Sequence, residues 1–535
     1  MAWNIPELIT GAVVPLLAVF AFTLPLLAKV FGEKKFPGIW ALIASVVAAV
    51  MSTYIFTVVW STGKDIVYGF GGWPPPIGIS YEVDPFNAVI AVFTAWIMVL
   101  ITIYSLWYNR HFDEPEWYYI LLIGLEAGML GCLYTGDAFN LFVMIEVLGI
   151  SAYALVAYHK NRGEAIEAAI KYGIIGATAT TLYFIGLVII YGVYGTLNMG
   201  QLSLLNAEIY YRRPDLIASI GVATLLAVSL ALWVFTYKSA LFPNHFWLPD
   251  AHPEAPTPVS AALSGLVVNI GVYAVARFMY TIFGPASMIA PYYRDAVLTA
   301  LFIMGFAGAF IGAIMMMAQK DLKRLLAYST VSHTGLLYMA LAIGMSGVPQ
   351  AAVALGLAAM TYHVLTHGLG KALLFMSSGV FIDSAGTRDL DGLAGVGRKY
   401  PLVSASFIIG FLSLMGLLPL GGFFSKLMLY QAFMDAGMLV PALAVIVVSA
   451  ISVLGYAKAM YSVVFATPTR EHREIKLHGI HYMLALMAVG LILLGVLYPW
   501  ISQGLIHVAN SSLIGPGVRE YQEAFVRAFH ALLGR

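Results

Sequence analysis

The stretch that decides the reading of this chain is Leu226-Ala-Val-Ser-Leu-Ala-Leu-Trp233-Val-Phe-Thr-Tyr-Lys238-Ser-Ala-Leu-Phe-Pro243-Asn-His245-Phe-Trp-Leu-Pro249-Asp250-Ala-His252-Pro253-Glu254. As far as Tyr237 it is apolar, of the kind that crosses a bilayer as a helix of about 20 residues. It then meets a lysine, a proline and a polar run broken by two further prolines. A charge at the bilayer centre costs roughly 3 kcal/mol on insertion scales. Broken backbone at membrane depth is tolerated only inside protein or along a cavity. A span ending this way predicts a polytopic membrane protein with a polar interior.

The composition agrees. Of 535 residues, 61% are hydrophobic and 10% charged, whereas soluble domains run to about half apolar and about a quarter charged. The formal net charge of +1 is uninformative about nucleic acid, no basic cluster suggests phosphate-backbone binding, and no nucleic-acid partner is expected. The single cysteine, Cys132, excludes a disulfide framework, an iron–sulfur cluster or a zinc ribbon on this chain's own thiols. No cofactor is expected in the chain, and redox chemistry nearby would belong to another polypeptide. Residues 1–4 lack a basic signal region, and the apolar stretch over 5–30 reads as a retained span.

Working outward, punctuation at charges, prolines and glycines gives about fourteen candidate spans. They centre near Leu17, Ala48, Phe93, Leu125, Leu148, Tyr183, Leu226, Val267, Ile303, Leu336, Ala359, Phe411, Val447 and Val489. Loops on one side carry most of the basic residues, among them Lys34, Lys35, Arg110, Arg162, Arg324, Arg388 and Arg473. The other side has Lys64, Arg212, Arg213 and Arg294 before the last span. This asymmetry places the first side in the cytoplasm and both termini outside, in a multi-pass cell-membrane protein. Residues 69–81, with Gly71-Gly72-Trp73-Pro74-Pro75-Pro76, predict an extended or hairpin cap on the outer face. Residues 518–533 predict an interfacial or docking amphipathic helix, with a frayed tail as the alternative.

Ionisable groups inside the spans are the candidate site: Glu146, Lys238, His333, His363, His367, Lys371 and Lys426. Structural ion pairs and snorkelling to the interface are the competing account for each charge. His363, His367 and Lys371 are spaced by four, so they share one helix stripe. Such a stripe suits a proton relay, because imidazole exchanges protons near neutral pH; packed core histidines are the alternative. A zincin needs Glu directly after the first His, and Val364 stands there, so no metal site is expected. Gly368-Leu-Gly-Lys371 is followed by Ala372 and is no phosphate loop. A second break, Pro419-Leu-Gly421-Gly422, precedes Lys426 as Lys238 precedes Pro243. Breaks at matching places predict a duplicated five-helix unit, one copy holding Glu146 and Lys238, the other Lys371 and Lys426. The first break, at Pro243, His245, Asp250, His252 and Glu254, is the candidate gate or access point.

On these residues the chain resembles the antiporter-like subunits shared by respiratory complex I, Mrp-type sodium/proton antiporters and membrane-bound hydrogenases. The matching runs include Thr135-Gly-Asp-Ala-Phe-Asn-Leu-Phe-Val-Met-Ile-Glu146, Phe246-Trp-Leu-Pro-Asp-Ala-His-Pro-Glu254, Asp321-Leu-Lys-Arg-Leu-Leu-Ala-Tyr-Ser-Thr-Val-Ser-His333, His363-Val-Leu-Thr-His-Gly-Leu-Gly-Lys371 and Gly421-Gly-Phe-Phe-Ser-Lys426. The resemblance implies an all-α membrane fold of fourteen helices, with two inverted five-helix repeats broken at the seventh and twelfth spans. That layout assigns residues 1–110 to the first three helices and outer cap, 111–285 and 286–470 to the repeats, and 471–535 to the last helix and amphipathic segment. It implies a proton path along the polar mid-membrane axis, with Glu146, Lys238 and Lys426 as its charged residues, within a multisubunit respiratory complex of hydrogenase or complex I type. Partners would be other integral membrane subunits and an iron–sulfur redox arm. A stand-alone sodium/proton antiporter, with Na+ also carried, and a non-conducting scaffold are the alternatives. One departure stands out: many relatives carry lysine where Asn269 stands, so the link between the halves needs water or His333 to bridge it.

Overall fold

The computed structural model describes residues 4–110, 114–212, 214–285 and 287–533; Arg213, counted above among the outer charges, lies outside them. Four long helices open the chain: α1 (Ile5–Phe31), α2 (Phe36–Thr62), α3 (Pro85–Tyr108) and α4 (Pro115–Tyr134). Between α2 and α3, β1 (Ile66–Gly69) pairs antiparallel with β2 (Ser80–Val83). The predicted hairpin cap is therefore present, closed through the proline-rich turn.

The next stretch holds α5 (Ala138–Val156), α6 (Gly163–Tyr194), α7 (Met199–Arg212), α8 (Ile217–Lys238), α9 (Leu248–Glu254), α10 (Thr257–Ala262) and α11 (Val268–Ala276). Helix α11 is flanked by π turns at 263–267 and 277–282, and with them and α10 makes one continuous buried span, Thr257–Ile282. There follow α12 (Pro291–Ala318), α13 (Leu322–Leu341), α14 (Gln350–Ala385), α15 (Pro401–Met415), α16 (Gly421–Asp435) and α17 (Leu439–Met460). The chain ends in α18 (Ile480–Val496), α19 (Tyr498–Ser512) and α20 (Pro516–Leu533).

Among the described residues, eleven helices are long and apolar enough to cross a membrane, twelve if α18 and α19, bent by 76°, count as one span. Each of the fourteen expected centres falls within a helix, yet α13 and α15 fall outside that set. The reason is physical. Helix α13 carries polar side chains through its middle, and α15 stops at Met415 before the break that leads to α16. Helix α13 thus departs from the rule by polarity and α15 by length alone.

Helices rather than strands fill the bilayer because a helix satisfies its backbone within one segment. Exposed Phe22, Leu26, Ile174, Ile303, Leu454 and Leu486 give the flanks an apolar coat. Inside, small residues set the closest approach. A Cβ on Gly305 of α12 would lie 2.8 Å from the Gly335 carbonyl of α13, and one on Gly312 would lie 2.4 Å from the Ser332 nitrogen. Such backbone proximity is how membrane helices gain packing without a hydrophobic drive between them. Three acidic residues, two of them in the quoted motifs, start helices. Asp84, Asp137 and Asp321 accept from the backbone nitrogens of Asn87, Asn140 and Arg324, at 3.0, 2.9 and 3.0 Å. Each satisfies a donor that the helix start leaves unpaired.

Candidate proton-transfer site

The second half of the site is built by four helices. Helix α14 supplies His363, His367 and Lys371, α13 supplies Ser329 and His333, α16 supplies Ser425 and Lys426, and α17 supplies Tyr456. All eight are buried. The Lys371 Nζ donates to Ser329 Oγ at 2.6 Å and to the Leu326 carbonyl at 2.8 Å. Ser329 Oγ shares a short hydrogen bond with the Tyr456 hydroxyl. That hydroxyl lies 2.9 Å from His333 Nε2, and His333 Nδ1 lies 2.9 Å from His363 Nε2. His363 Nδ1 in turn lies 2.9 Å from Ser425 Oγ. The result is an unbroken row of hydrogen bonds from Lys371 to the residue preceding Lys426.

Lys426 is held by the break itself. Because α15 ends at Met415, its last carbonyls have no helical donor, and Lys426 Nζ donates to Leu414 O at 2.7 Å and Met415 O at 3.2 Å. A cation at a helix C-terminus also meets the negative end of the helix dipole. His367 shares the stripe but stands beside the row: neither ring nitrogen has a hydrogen-bond partner, and its ring centroid is 5.0 Å from that of His333.

In the first half the two charged residues stand apart. Lys238, the last residue of α8, does not contact Glu146. It donates to the Tyr153 hydroxyl at 3.0 Å and lies over the rings of Tyr153 and Tyr172, 4.9 and 5.5 Å from their centroids. Glu146 is half-buried, one turn before Gly149, and a Cβ on Gly149 would lie 3.0 Å from Lys238 Nζ. The lysine thus packs one turn along α5 from the carboxylate, and the directly paired ion pair is not formed. The aromatic faces stabilise its charge instead.

Between the halves, Asn269 donates from Nδ2 to the Gly265 carbonyl at 2.7 Å, within the π turn, and its Oδ1 has no partner. Nearby Ser264 Oγ meets Thr330 Oγ1 at 2.5 Å, and Thr330 neighbours Ser329. Ser239 Oγ meets the Tyr338 hydroxyl at 2.9 Å, a second contact between the Lys238 end and α13.

The access residues divide. Glu254 pairs with Arg388 at 2.6 Å and Arg162 at 2.9 Å, and it lines an 880 Å³ cavity on the basic face with Lys323, Asp383 and Arg473. Buried His252 lies behind Glu254, stacked on Phe375 with neither ring nitrogen partnered, within electrostatic reach of both Lys323 and Lys371. Asp250 is tied to Lys171 and Arg324, each at 3.4 Å, so it fastens the break to α6 and α13. Pro243 is exposed and His245 half-buried, on the neighbouring stretch of the break. His245 Nδ1 lies 3.2 Å from the Pro243 carbonyl.

Several participants escaped the sequence reading. Tyr153, Tyr456, Ser329 and Ser425 are uncharged and ordinary within spans, so nothing marked them. Glu126 could have been found, being a carboxylate in the middle of an apolar span. It is fully buried and accepts from Ser45 Oγ at 2.5 Å. Among the described residues, no group of three or more His, Cys, Asp or Glu could hold a metal ion.

Residues 135–452, which contain every charged and imidazole residue of both halves of this site but not Tyr456, match the family described as NADH:quinone oxidoreductase/Mrp antiporter, TM. NADH-quinone oxidoreductase subunit N of Desulforudis audaxviator (strain MP104C) is 35% identical over 391 residues, covering 73% of each chain. A Na(+)/H(+) antiporter subunit of Bacillus subtilis (strain 168) is 28% identical over 495 residues, covering 91% of this chain and 94% of that protein. A chain of the membrane-bound sulfane sulfur reductase, an archaeal respiratory membrane complex, superposes with a TM-score of 0.85 at 29% identity, over 96% of this chain and 99% of that one. The fold, the buried polar row and these relatives converge: the chain belongs to the NADH:quinone oxidoreductase/Mrp antiporter family of transmembrane subunits.

Proposed function

We propose that the chain moves protons across a cell membrane as one subunit of a multisubunit respiratory complex. The observation that carries this reading is the hydrogen-bonded row from Lys371 through Ser329, Tyr456, His333 and His363 to Ser425. Each member can accept a proton on one side while releasing one on the other, which is what a relay needs. Protons enter from the basic-face cavity past Glu254 and His252, and Lys426 delivers them at the second break. Asn269 leaves a gap that the Ser264–Thr330 contact and internal water bridge.

In this mechanism Lys238 is the switch. Beside Glu146 its charge faces a carboxylate; drawn onto Tyr153 and Tyr172 it faces ring faces and a phenol instead. Taking such an element from nearly all paired to nearly all parted needs about 5.5 kcal/mol. A push of that size has to come from a neighbouring subunit. Fourteen spans in two inverted repeats, with both termini outside, is the arrangement this reading uses.

Lys238→Ala in the assembled complex is expected to abolish proton uptake by sealed vesicles while assembly survives. Uptake at the unaltered rate would remove Lys238 from the mechanism. The similarity to an antiporter subunit over nearly its whole length supports a second reading, a stand-alone sodium/proton antiporter. Purification in mild detergent separates the two. Iron–sulfur subunits in stoichiometric amount support the respiratory complex; small hydrophobic partners without iron support the antiporter.

A further inference from the structure

Beneath the hairpin lies a second group of ionisable residues that the relay does not use. Arg277 grips Asp84 with two hydrogen bonds, Nη1 to Oδ2 at 2.6 Å and Nη2 to Oδ1 at 2.8 Å, and both residues are buried. That pairing consumes the guanidinium charge. Two further carboxylates, Glu82 of β2 and Asp65 just before β1, remain. Glu82 is 1% exposed, and all four carboxylate oxygens of the two residues are buried without a hydrogen-bond partner. The phenol of Tyr521 is the group placed to donate to Glu82.

An ionised carboxylate in such a place costs far more than a neutral one. Burial therefore raises both groups well above the usual carboxylate range; repulsion by Asp84 adds to the rise of both, and repulsion by Asp65 to that of Glu82. The opposing charges are Arg277, which faces both, and Arg527 of α20, which faces Asp65; Glu520 of α20 adds to the repulsion on Asp65. Asp65 also lines a 340 Å³ cavity on the hairpin face, together with Trp60, His507 and Glu520. On the inner side, Arg277, Tyr273 and Asn269 are spaced by four, forming a stripe that runs from the group back to the gap in the axis.

We propose that Glu82 and Asp65 form a two-carboxyl proton-release site on the hairpin face, covered by Tyr521 of α20. Each carboxyl holds one proton. Asp65 gives its proton to water in the cavity and takes the proton of Glu82, and Glu82 is reprotonated from the interior. Arg277 keeps its charge throughout and serves as the fixed counter-ion of Asp84. The inference deepens the proton-moving reading and rests on it.

The test uses the full chain in its complex, in sealed vesicles, with a pH indicator on the hairpin side. Asp65→Asn with Glu82→Gln is expected to slow proton release at least tenfold and to shift its dependence on hairpin-side pH. Glu82→Asp, which keeps a carboxyl, is expected to restore most of it. Wild-type release with an unchanged pH profile in the double variant, while Lys238→Ala still abolishes transport, overturns the release site and leaves the relay standing. Should Lys238→Ala transport normally, the relay reading falls, and infrared difference spectra of the purified protein decide the carboxyl pair. A protonated-carboxyl band at neutral pH that vanishes in the double variant supports the pair; an unaltered band overturns it.

Discussion

Tyr456 is where a single atom decides whether the row is continuous. Its hydroxyl joins Ser329 to His333, while its ring packs 5.3 Å from that of Phe411. Tyr456→Phe keeps the ring and deletes the bridge, so proton flux is expected to fall by more than tenfold with little change in assembly or thermal stability. Flux within twofold of wild type would place the conducting route elsewhere. The residue also marks the limit of sequence reading. Charged and imidazole side chains announce themselves in an apolar span because burying them is costly. A tyrosine or serine can be buried at low cost once it has a partner, so the hydroxyls that connect the charges gave no signal. Likewise, the sequence shows that Glu146 and Lys238 are charges deep in their spans, not that aromatic faces stand beside the lysine.

At the scale of elements, helix α20 shows what charge around a docking surface does. It lays Tyr521 over Arg277, 5.1 Å from the guanidinium, and ties Arg527 to Glu520 at 2.5 Å. With α20 docked, Glu82 and Asp65 hold protons more tightly than they would in water, so the docked state binds more protons than the open one. By linkage, docking is strongest at or below the ordinary carboxylate range and weakens as pH climbs from there towards the raised values. The hydrogen-exchange protection of residues 516–533, taken relative to the intrinsic amide rate at each pH, is expected to fall with alkalinity, and Asp65→Asn with Glu82→Gln to flatten that fall. A docking strength that rises with pH would reverse the sign and refute the account. The amphipathic pattern of this segment foretold a helix, but its partner surface was invisible, since β1, β2 and Arg277 come from distant parts of the chain. The broken spans were readable for the opposite reason: Pro243 and the Pro419–Gly422 run act locally, through the backbone they interrupt.

For the molecule as a whole, the basic cavity at Glu254 and the hairpin-face cavity at Asp65 lie at opposite ends of the helices. The excess of Lys and Arg at the first end predicts that the hairpin faces outward. The only native thiol, Cys132, is fully buried, so Lys64→Cys, exposed one residue before Asp65, offers a reactive group against a silent background. A membrane-impermeant maleimide is expected to label it in intact cells. Labelling only in inverted vesicles would turn the topology over and exchange the entry and release faces.

The row from Lys371 to Ser425 also has a memory. When a proton hops along hydroxyls and imidazoles, each donor becomes an acceptor, and the whole row is left polarised in the reverse sense. A second proton cannot follow until Ser329, Tyr456 and Ser425 swing their O–H bonds back and the His333–His363 pair exchanges its shared hydrogen. Because these groups are packed and buried, that resetting is a separate event from the hop. On the proposed reading the row therefore delivers protons singly, with a resetting step between one transfer and the next.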